Sequence, residues 1–348
     1  MKINNINTED ISVVVQGAID KKNTPICLKS IRKYLPDAEI ILSTWEGSEV
    51  DGLDYDILLL NKDPGNYICD EVYKIYNNVN RQILSTKNGL KKTTRKYAIK
   101  IRSDMEITGT NFLNYFGKFK KRCDECKILK ERVIINNLYC ANPHKIKFLF
   151  HVSDWVFFGL TEDILNIWDI PLETESVALY YKNHDRPALD LVKTWLFQYI
   201  PEQYIWSSFL RKNNIDFSFE YYTDFNDKIL ELSELSFANN AVILNYEQFG
   251  IKFLKFDPYK NDCSVQYNNY DFLCLYKKYC DKNYKMPLKY RWKNDLKIKK
   301  SIEKIKKHWR RFFLPLKSFL KWLSEPFCIL SYIIKIIIKI MLNFWRLF

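Results

Sequence analysis

The chain has 348 residues, 47% hydrophobic and 16% aromatic, enough to bury one large α/β core, and no internal repeat points to a fibrous or solenoid protein. Its formal net charge of +13 is concentrated, because residues 285–321 carry 14 Lys/Arg against Asp295 and Glu303 while residues 1–284 come out near −1. The basic tract, and not the near-neutral body, is therefore the part suited to an anionic partner.

In chain order, the apolar run 11–15 ends in Gln16-Gly17 and predicts a buried parallel strand. Thr24-Pro25 supplies an N-cap and a first-turn proline for a helix that Leu35-Pro36 stops. Residues 39–44 and 56–60 read as strands, 72–84 as a helix and 97–101 as the next strand. Strands alternating with helices imply right-handed βαβ units and a mainly parallel sheet flanked by helices, with ligands bound beyond the carboxyl ends of the strands. Gln16, Gly17, Thr44, Trp45 and Asp104 all fall at such ends. Further on, 112–142 reads as a lysine-rich connection leading into a strand at 132–135, and Pro201 opens a helix after the apolar run 195–200. Residues 241–246 and 251–256 alternate as a late hairpin interrupted at Phe249-Gly250.

The segment Lys100-Ile-Arg-Ser-Asp-Met-Glu106 carries the chemistry. Residues two apart on a strand share a face, so Asp104 and Glu106 can converge on a hard divalent cation, Mn²⁺ or Mg²⁺, with Arg102 beside a phosphate oxygen. In His151-Val-Ser-Asp-Trp155 a polar cluster meets the aromatic run Val156-Phe-Phe158, the composition of a substrate pocket. Asp154 there is either a general base or the cap of the next element. Glu202 either complements the dipole of the helix opened by Pro201 or replaces Asp154 as base. Asn80, Arg81 and Gln82 are either nucleotide contacts or an exposed polar helix face, and His151 is a candidate hydrogen-bond partner for phosphate or sugar.

These pieces carry a resemblance. Residues 11–17 (Ile-Ser-Val-Val-Val-Gln-Gly), 30–36 (Ser-Ile-Arg-Lys-Tyr-Leu-Pro), 38–47 (Ala-Glu-Ile-Ile-Leu-Ser-Thr-Trp-Glu-Gly) and Lys100-Ile-Arg-Ser-Asp104 resemble the WavE lipopolysaccharide synthesis family. So do 77–82 (Asn-Asn-Val-Asn-Arg-Gln), His151-Val-Ser-Asp-Trp155 and Phe157-Phe-Gly159, and the likeness runs from about residue 11 to 256. It implies a GT-A-like glycosyltransferase, hexosyltransferase-like, moving a sugar from a nucleotide-sugar donor to a lipopolysaccharide or other lipid-linked glycan. It further tips Arg81 and Gln82 towards donor contact, beside the candidates Gln16, Gly17, Thr44, Trp45, Arg102, Ser103 and His151. The motif resembled is Arg102-Ser103-Asp104, so Glu106 departs from it.

Residues 331–348 place Lys335, Lys339 and Arg346 in one narrow helical stripe on an otherwise apolar segment ending in Phe344-Trp345. Such a helix is about 27 Å long, yet each mid-span lysine costs roughly 2.5–3.5 kcal/mol at a bilayer centre, so it is expected to lie in the interface. With the basic tract it predicts peripheral attachment to the anionic cytoplasmic face of the inner membrane. No signal peptide is expected, since residues 2–10 are polar. The nine cysteines, including the lone Cys123-x-x-Cys126, read as reduced thiols of a cytosolic protein. The expected organisation is a catalytic domain, 1–284, with a donor half (1–110) and an acceptor half (111–284), followed by a membrane-associating tail, 285–348. A non-catalytic scaffold keeps the same fold without turnover; nucleic acid is not the expected partner, because it leaves the isoleucine-rich end unexplained.

Overall fold

Stiff β-branched side chains at 11–15 suit a strand covered on both faces, and in the computed structural model this run is β1 (Ile11–Gln16), buried throughout. The structure describes residues 6–186, 195–255, 265–287 and 290. The chain divides into two units, Met1–Tyr284 and Lys285–Phe348. The amphipathic segment 331–348 and nearly all of the basic tract 285–321 lie outside the described residues.

After β1 come α1 (Asn23–Tyr34), β2 (Glu39–Trp45), β3 (Ile57–Asn61), the short strands β4 (Tyr67–Asp70) and β5 (Ile75–Asn77), α2 (Val79–Leu90), β6 (Tyr97–Arg102) and β7 (Met105–Ile107). The second half adds β8 (Val133–Asn136), β9 (Val156–Leu160), α3 (Thr161–Trp168), α4 (Glu175–Ala178), α5 (Pro201–Lys212), α6 (Asp227–Asn240), β10 (Ala241–Leu244), α7 (Tyr246–Phe249), β11 (Ile251–Phe253) and α8 (Asn269–Tyr279). Seven strands form the central sheet in the order β10-β8-β9-β6-β1-β2-β3. Its pairs are parallel except those of β9, which runs antiparallel to both β6 and β8. This is the mixed α/β, mostly parallel architecture expected, and it brings the carboxyl ends of β1, β2, β3 and β6 to one edge.

Helix α2 lies close against β1 and β2, for a Cβ on Gly89 would meet the Val14 and Ser43 side chains. Beneath the strand ends runs a buried polar chain. Ser85 Oγ donates to Gln16 Oε1 (2.9 Å), Ser43 Oγ to the Ser85 carbonyl (2.7 Å), Asn61 Nδ2 to Ser43 Oγ (3.0 Å) and Asn88 Nδ2 to Asn61 Oδ1 (2.9 Å). Each buried polar group thus finds a partner, and three strands are locked in register with one helix.

Three expectations are corrected. The start of α1 is capped by Asp20, whose Oδ1 accepts from the backbone N–H groups of Lys22 (3.0 Å) and Asn23 (2.9 Å), while Thr24 lies inside the helix. Residues 72–78 are not helical: a turn with Lys74 at φ 52° folds β5 back on β4, and Asn77 Oδ1 accepts from Val79 N (3.0 Å) as α2 begins. Residues 241–255 do not form a hairpin. β10 joins the main sheet beside β8, and β11 pairs with β7 in a separate two-stranded sheet. The helical turn α7 and Gly250 (φ 94°) redirect the chain between them.

The seven cysteines among the described residues are free, including Cys123 and Cys126, and no helix among those residues is long and apolar enough to cross a membrane.

Gly250 is irreplaceable on two counts: its backbone is left-handed, and a Cβ there would stand 2.6 Å from the Gly109 carbonyl oxygen. Gly250→Ala is therefore expected to cost about 1–3 kcal/mol, at roughly 2–4 °C of Tm per kcal/mol. Thermal unfolding measures it, and an unchanged Tm would contradict the packing.

Candidate active site

Where β1, β2 and β6 end, a cavity of about 500 Å³ opens. Gln16, Gly17, Trp45, Arg81, Gln82, Arg102, Ser103 and Asp104 line it, so eight of the residues expected at strand ends and on the helix share one wall. Ser103 stitches two of these ends together, its N–H donating to the Gln16 carbonyl (3.0 Å) and its Oγ to the Ala18 carbonyl (2.7 Å). Gly17 N–H reaches the Ser43 carbonyl (3.2 Å), fixing the β1 end against β2.

The floor is dominated by one ion pair. Arg102 Nε and Nη2 donate to the two oxygens of Asp104 at 3.0 and 2.9 Å, a bidentate fork, and the guanidinium carbon sits 4.3 Å from the centre of the Trp155 ring. Burial opposes ionisation of Asp104, but the hydrogen bond and charge of Arg102, with the charge of Lys255, hold its carboxyl below the usual range. Lys255 lines the same cavity and pairs with Asp20 at 2.8 Å. At the far side Arg81 grips Asp63 (Nε to Oδ1 2.8 Å, Nη2 to Oδ2 2.7 Å) and donates to Asn78 Oδ1 (2.9 Å). Gln82 Oε1 is buried in this wall without a hydrogen-bond partner. A ligand hydroxyl or amide would satisfy it.

Asp63, Asn78 and Lys255 were not anticipated. Asp63 follows the end of β3, so the strand-end rule applied to that strand would have found it; Lys255 arrives through the β11–β7 pairing, which leaves no local signal. Thr44 is buried, with its hydroxyl 3.2 Å from Ser48 Oγ, and is not part of the wall. Asn80 is neither a nucleotide contact in the wall nor an exposed residue. Its amide brackets the buried Glu173 backbone, accepting from Glu173 N (2.7 Å) and donating to Glu173 O (2.9 Å). Asn77 Nδ2 donates to Glu173 Oε2 (2.6 Å), so this pair sets the pose of α2 and with it Arg81 and Gln82.

Glu106 also stands apart. The chain turns at Ser103-Asp104 and enters β7, where Glu106 faces Lys252 of β11 at 3.7 Å, outside the cavity wall. The same-face argument for Asp104 and Glu106 fails because the two are not on one continuous strand. Both Asp104 oxygens are engaged by Arg102, and no group of three or more His, Cys, Asp or Glu able to hold a metal exists among the described residues. At the effective dielectric of such a site, two unit charges about 4 Å apart interact by roughly 4 kcal/mol. A divalent ion at Asp104 would meet the like charges of Arg102 and Lys255 against one carboxylate. The donor set does not fit the expected Mn²⁺ or Mg²⁺.

His151 and Asp154, both buried, gather with the partly buried Glu202 in a second group outside the cavity wall. His151 Nδ1 lies 3.0 Å from the Tyr139 carbonyl and Nε2 3.8 Å from Glu202 Oε2. Burial pushes the His151 imidazole down to about 4 and the Glu202 carboxyl up to about 8, the latter with help from the Asp154 charge. Lys100, buried and driven down to about 7, donates to the Asp154 carbonyl and lies 4.5 Å from the centre of the Trp168 ring. Asp154 Oδ1 is buried without a partner. Arg102 carries its charge to both groups, since Asp154 and Glu202 as well as Asp104 favour its cation.

Compared with known protein families, the chain matches the model described as WavE lipopolysaccharide synthesis over residues 11–307. The chain belongs to the WavE lipopolysaccharide synthesis family. Membership ties it to lipopolysaccharide biosynthesis, and the WavE match begins at β1 and takes in every residue of both side-chain groups. No curated protein matches the chain.

Burial also raises Glu173 to about 8 from an ordinary 4.5. Between those values the folded chain holds a proton that the unfolded chain releases, so this group's contribution to stability falls as pH rises, by about 1.4 kcal/mol per unit. Glu173→Gln, which mimics the protonated acid, should gain stability relative to the native chain steadily from pH 5 to pH 8. Denaturant unfolding at four pH values tests it, and a pH-independent difference would refute the protonated state.

Proposed function

We propose that this WavE protein is a glycosyltransferase that binds a nucleotide-sugar in the β1–β2–β6 cavity and transfers the sugar to a lipopolysaccharide or other lipid-linked glycan. The observation that carries the reading is the convergence of Arg81, Arg102 and Lys255 on one cavity beyond the carboxyl ends of parallel strands, where such folds bind nucleotides. The GT-A label implied by the family resemblance accords with a mostly parallel sheet of this kind. The place of action we propose is the cytoplasmic face of the inner membrane, reached through the basic amphipathic tail.

In the reaction the bond between the anomeric carbon and the diphosphate oxygen breaks, and its electron pair stays on the diphosphate. Cationic donors fixed at that oxygen favour the transition state, in which the charge develops. Arg102 is fixed in this way by Asp104 and Trp155. The acceptor oxygen bonds to the anomeric carbon and gives its proton to a carboxylate. Burial and the neighbouring Asp154 charge push the Glu202 carboxyl up, against a role as base, and the base we propose is Asp154, whose Oδ1 is buried without a partner. His151 and Glu202 then serve to hold that carboxylate's surroundings.

Calorimetric titration of the full chain with a panel of nucleotide-sugars should identify one donor, and Arg102→Ala should abolish its binding. Asp154→Asn should leave donor affinity intact and lower kcat by about 10²–10⁴-fold. Donor binding with no transfer to any glycan acceptor favours the scaffold reading, and full turnover by Asp154→Asn removes the base assignment.

A further inference from the structure

We infer that the donor's diphosphate is neutralised by side-chain cations alone, with Arg102 and Lys255 flanking Asp104 in place of a divalent ion and Asp104 acting to position Arg102. The inference rests on the donor-site reading above and deepens it.

Four observations carry it. Asp104 spends both oxygens on Arg102, at 3.0 and 2.9 Å, so its carboxylate is already satisfied by a cation two residues away. The second carboxylate that a metal site would need, Glu106, lies on β7 opposite Lys252 and outside the cavity. The other carboxylate in the wall, Asp63, is gripped bidentately by Arg81. Lys255 shares the cavity wall with Asp104 and acts on its ionisation, and it is half exposed, paired among the described residues with Asp20 at 2.8 Å. Asp20 keeps its bonds to the Lys22 and Asn23 N–H groups without the lysine, so Lys255, on the exposed side of the pair, can exchange Asp20 for a phosphate oxygen.

The charge count agrees with this. The cavity wall carries Arg81, Arg102 and Lys255 against Asp63 and Asp104, an excess of one cation once Lys255 leaves Asp20. A diphosphate entering the wall meets two guanidinium cations, each held in place by its carboxylate, and an ammonium that can follow either phosphate. On bond cleavage the electron pair left on the diphosphate is met by Arg102 and Lys255, the acceptor's proton passes to the buried carboxylate, and no further co-reactant is required.

The test uses the full-length protein and the four common ribonucleoside diphosphates, titrated by calorimetry in excess chelator and again in excess Mn²⁺. One diphosphate should bind with affinities that agree within about threefold in the two media. Lys255→Ala should weaken it by about tenfold or more in chelator, and Lys255→Arg should restore most of the loss. Both variants sit on an exposed side chain, so their Tm should match the native chain. A tightening of about tenfold or more by Mn²⁺ that Asp104→Asn abolishes would overturn the inference while leaving the donor site standing. Unaltered binding by Lys255→Ala would overturn it too. If no diphosphate binds in either medium, the donor-site reading itself falls, and the inference with it.

Discussion

The fork between Arg102 and Asp104 is the constraint on which the site depends. It forms because β6 ends at Arg102 and the chain turns at Ser103-Asp104, which returns the carboxylate against a guanidinium only two residues earlier. The turn is held from below by Ser103, whose bonds to the Gln16 and Ala18 carbonyls tie β6 to β1. Trp155 closes the other side of the arginine. A charged, rotamer-rich side chain thus loses its freedom on folding, before any ligand arrives, and that cost need not be met on binding.

A second constraint is the pose of α2. The helix approaches β1 so closely that Gly89 tolerates no side chain, and its N-terminal end is keyed to Glu173 through Asn77 and Asn80. Glu173 is far along the chain and buried, so its bonds work in a low dielectric where a half-made network is costly. The result is that Arg81 and Gln82 face the cavity although neither holds the helix in place. Residues bonded to Glu173 and residues lining the cavity are interleaved along 77–82.

Much of this was legible locally. β1, β2 and β6 announce themselves as short β-branched runs, and the rule that ligands sit at the carboxyl ends of parallel strands drew Gln16, Trp45 and Asp104 into one wall. What failed was whatever depended on distant pairing. Residues 72–78 have helical spacing, but Lys74 adopts a left-handed conformation and the segment pairs with β4. Residues 241–246 alternate like half a hairpin, yet their partner is β8, more than a hundred positions earlier, and burial on both faces replaces the expected solvent face. Glu106 was misjudged for the same reason: the period-two rule holds within a strand and says nothing across a turn. Lys255 depends on that same β11–β7 pairing.

One arginine joins two carboxylate groups with opposite behaviour. Arg102 favours the ionised form of both Asp104 and Glu202, but Asp104 accepts its hydrogen bonds and Glu202 feels only its charge, so desolvation prevails at Glu202 and not at Asp104. Burial around Asp154 therefore favours a neutral His151 and a protonated Glu202. The cavity keeps its charges. If Lys255 leaves Asp20 for a diphosphate, one anion succeeds another beside the same cation, and Asp104 keeps its hold on Arg102. Such an exchange needs little movement of charge through the buried group behind Trp155. The wall can then change partners while the proton balance around Asp154 stays as folding set it.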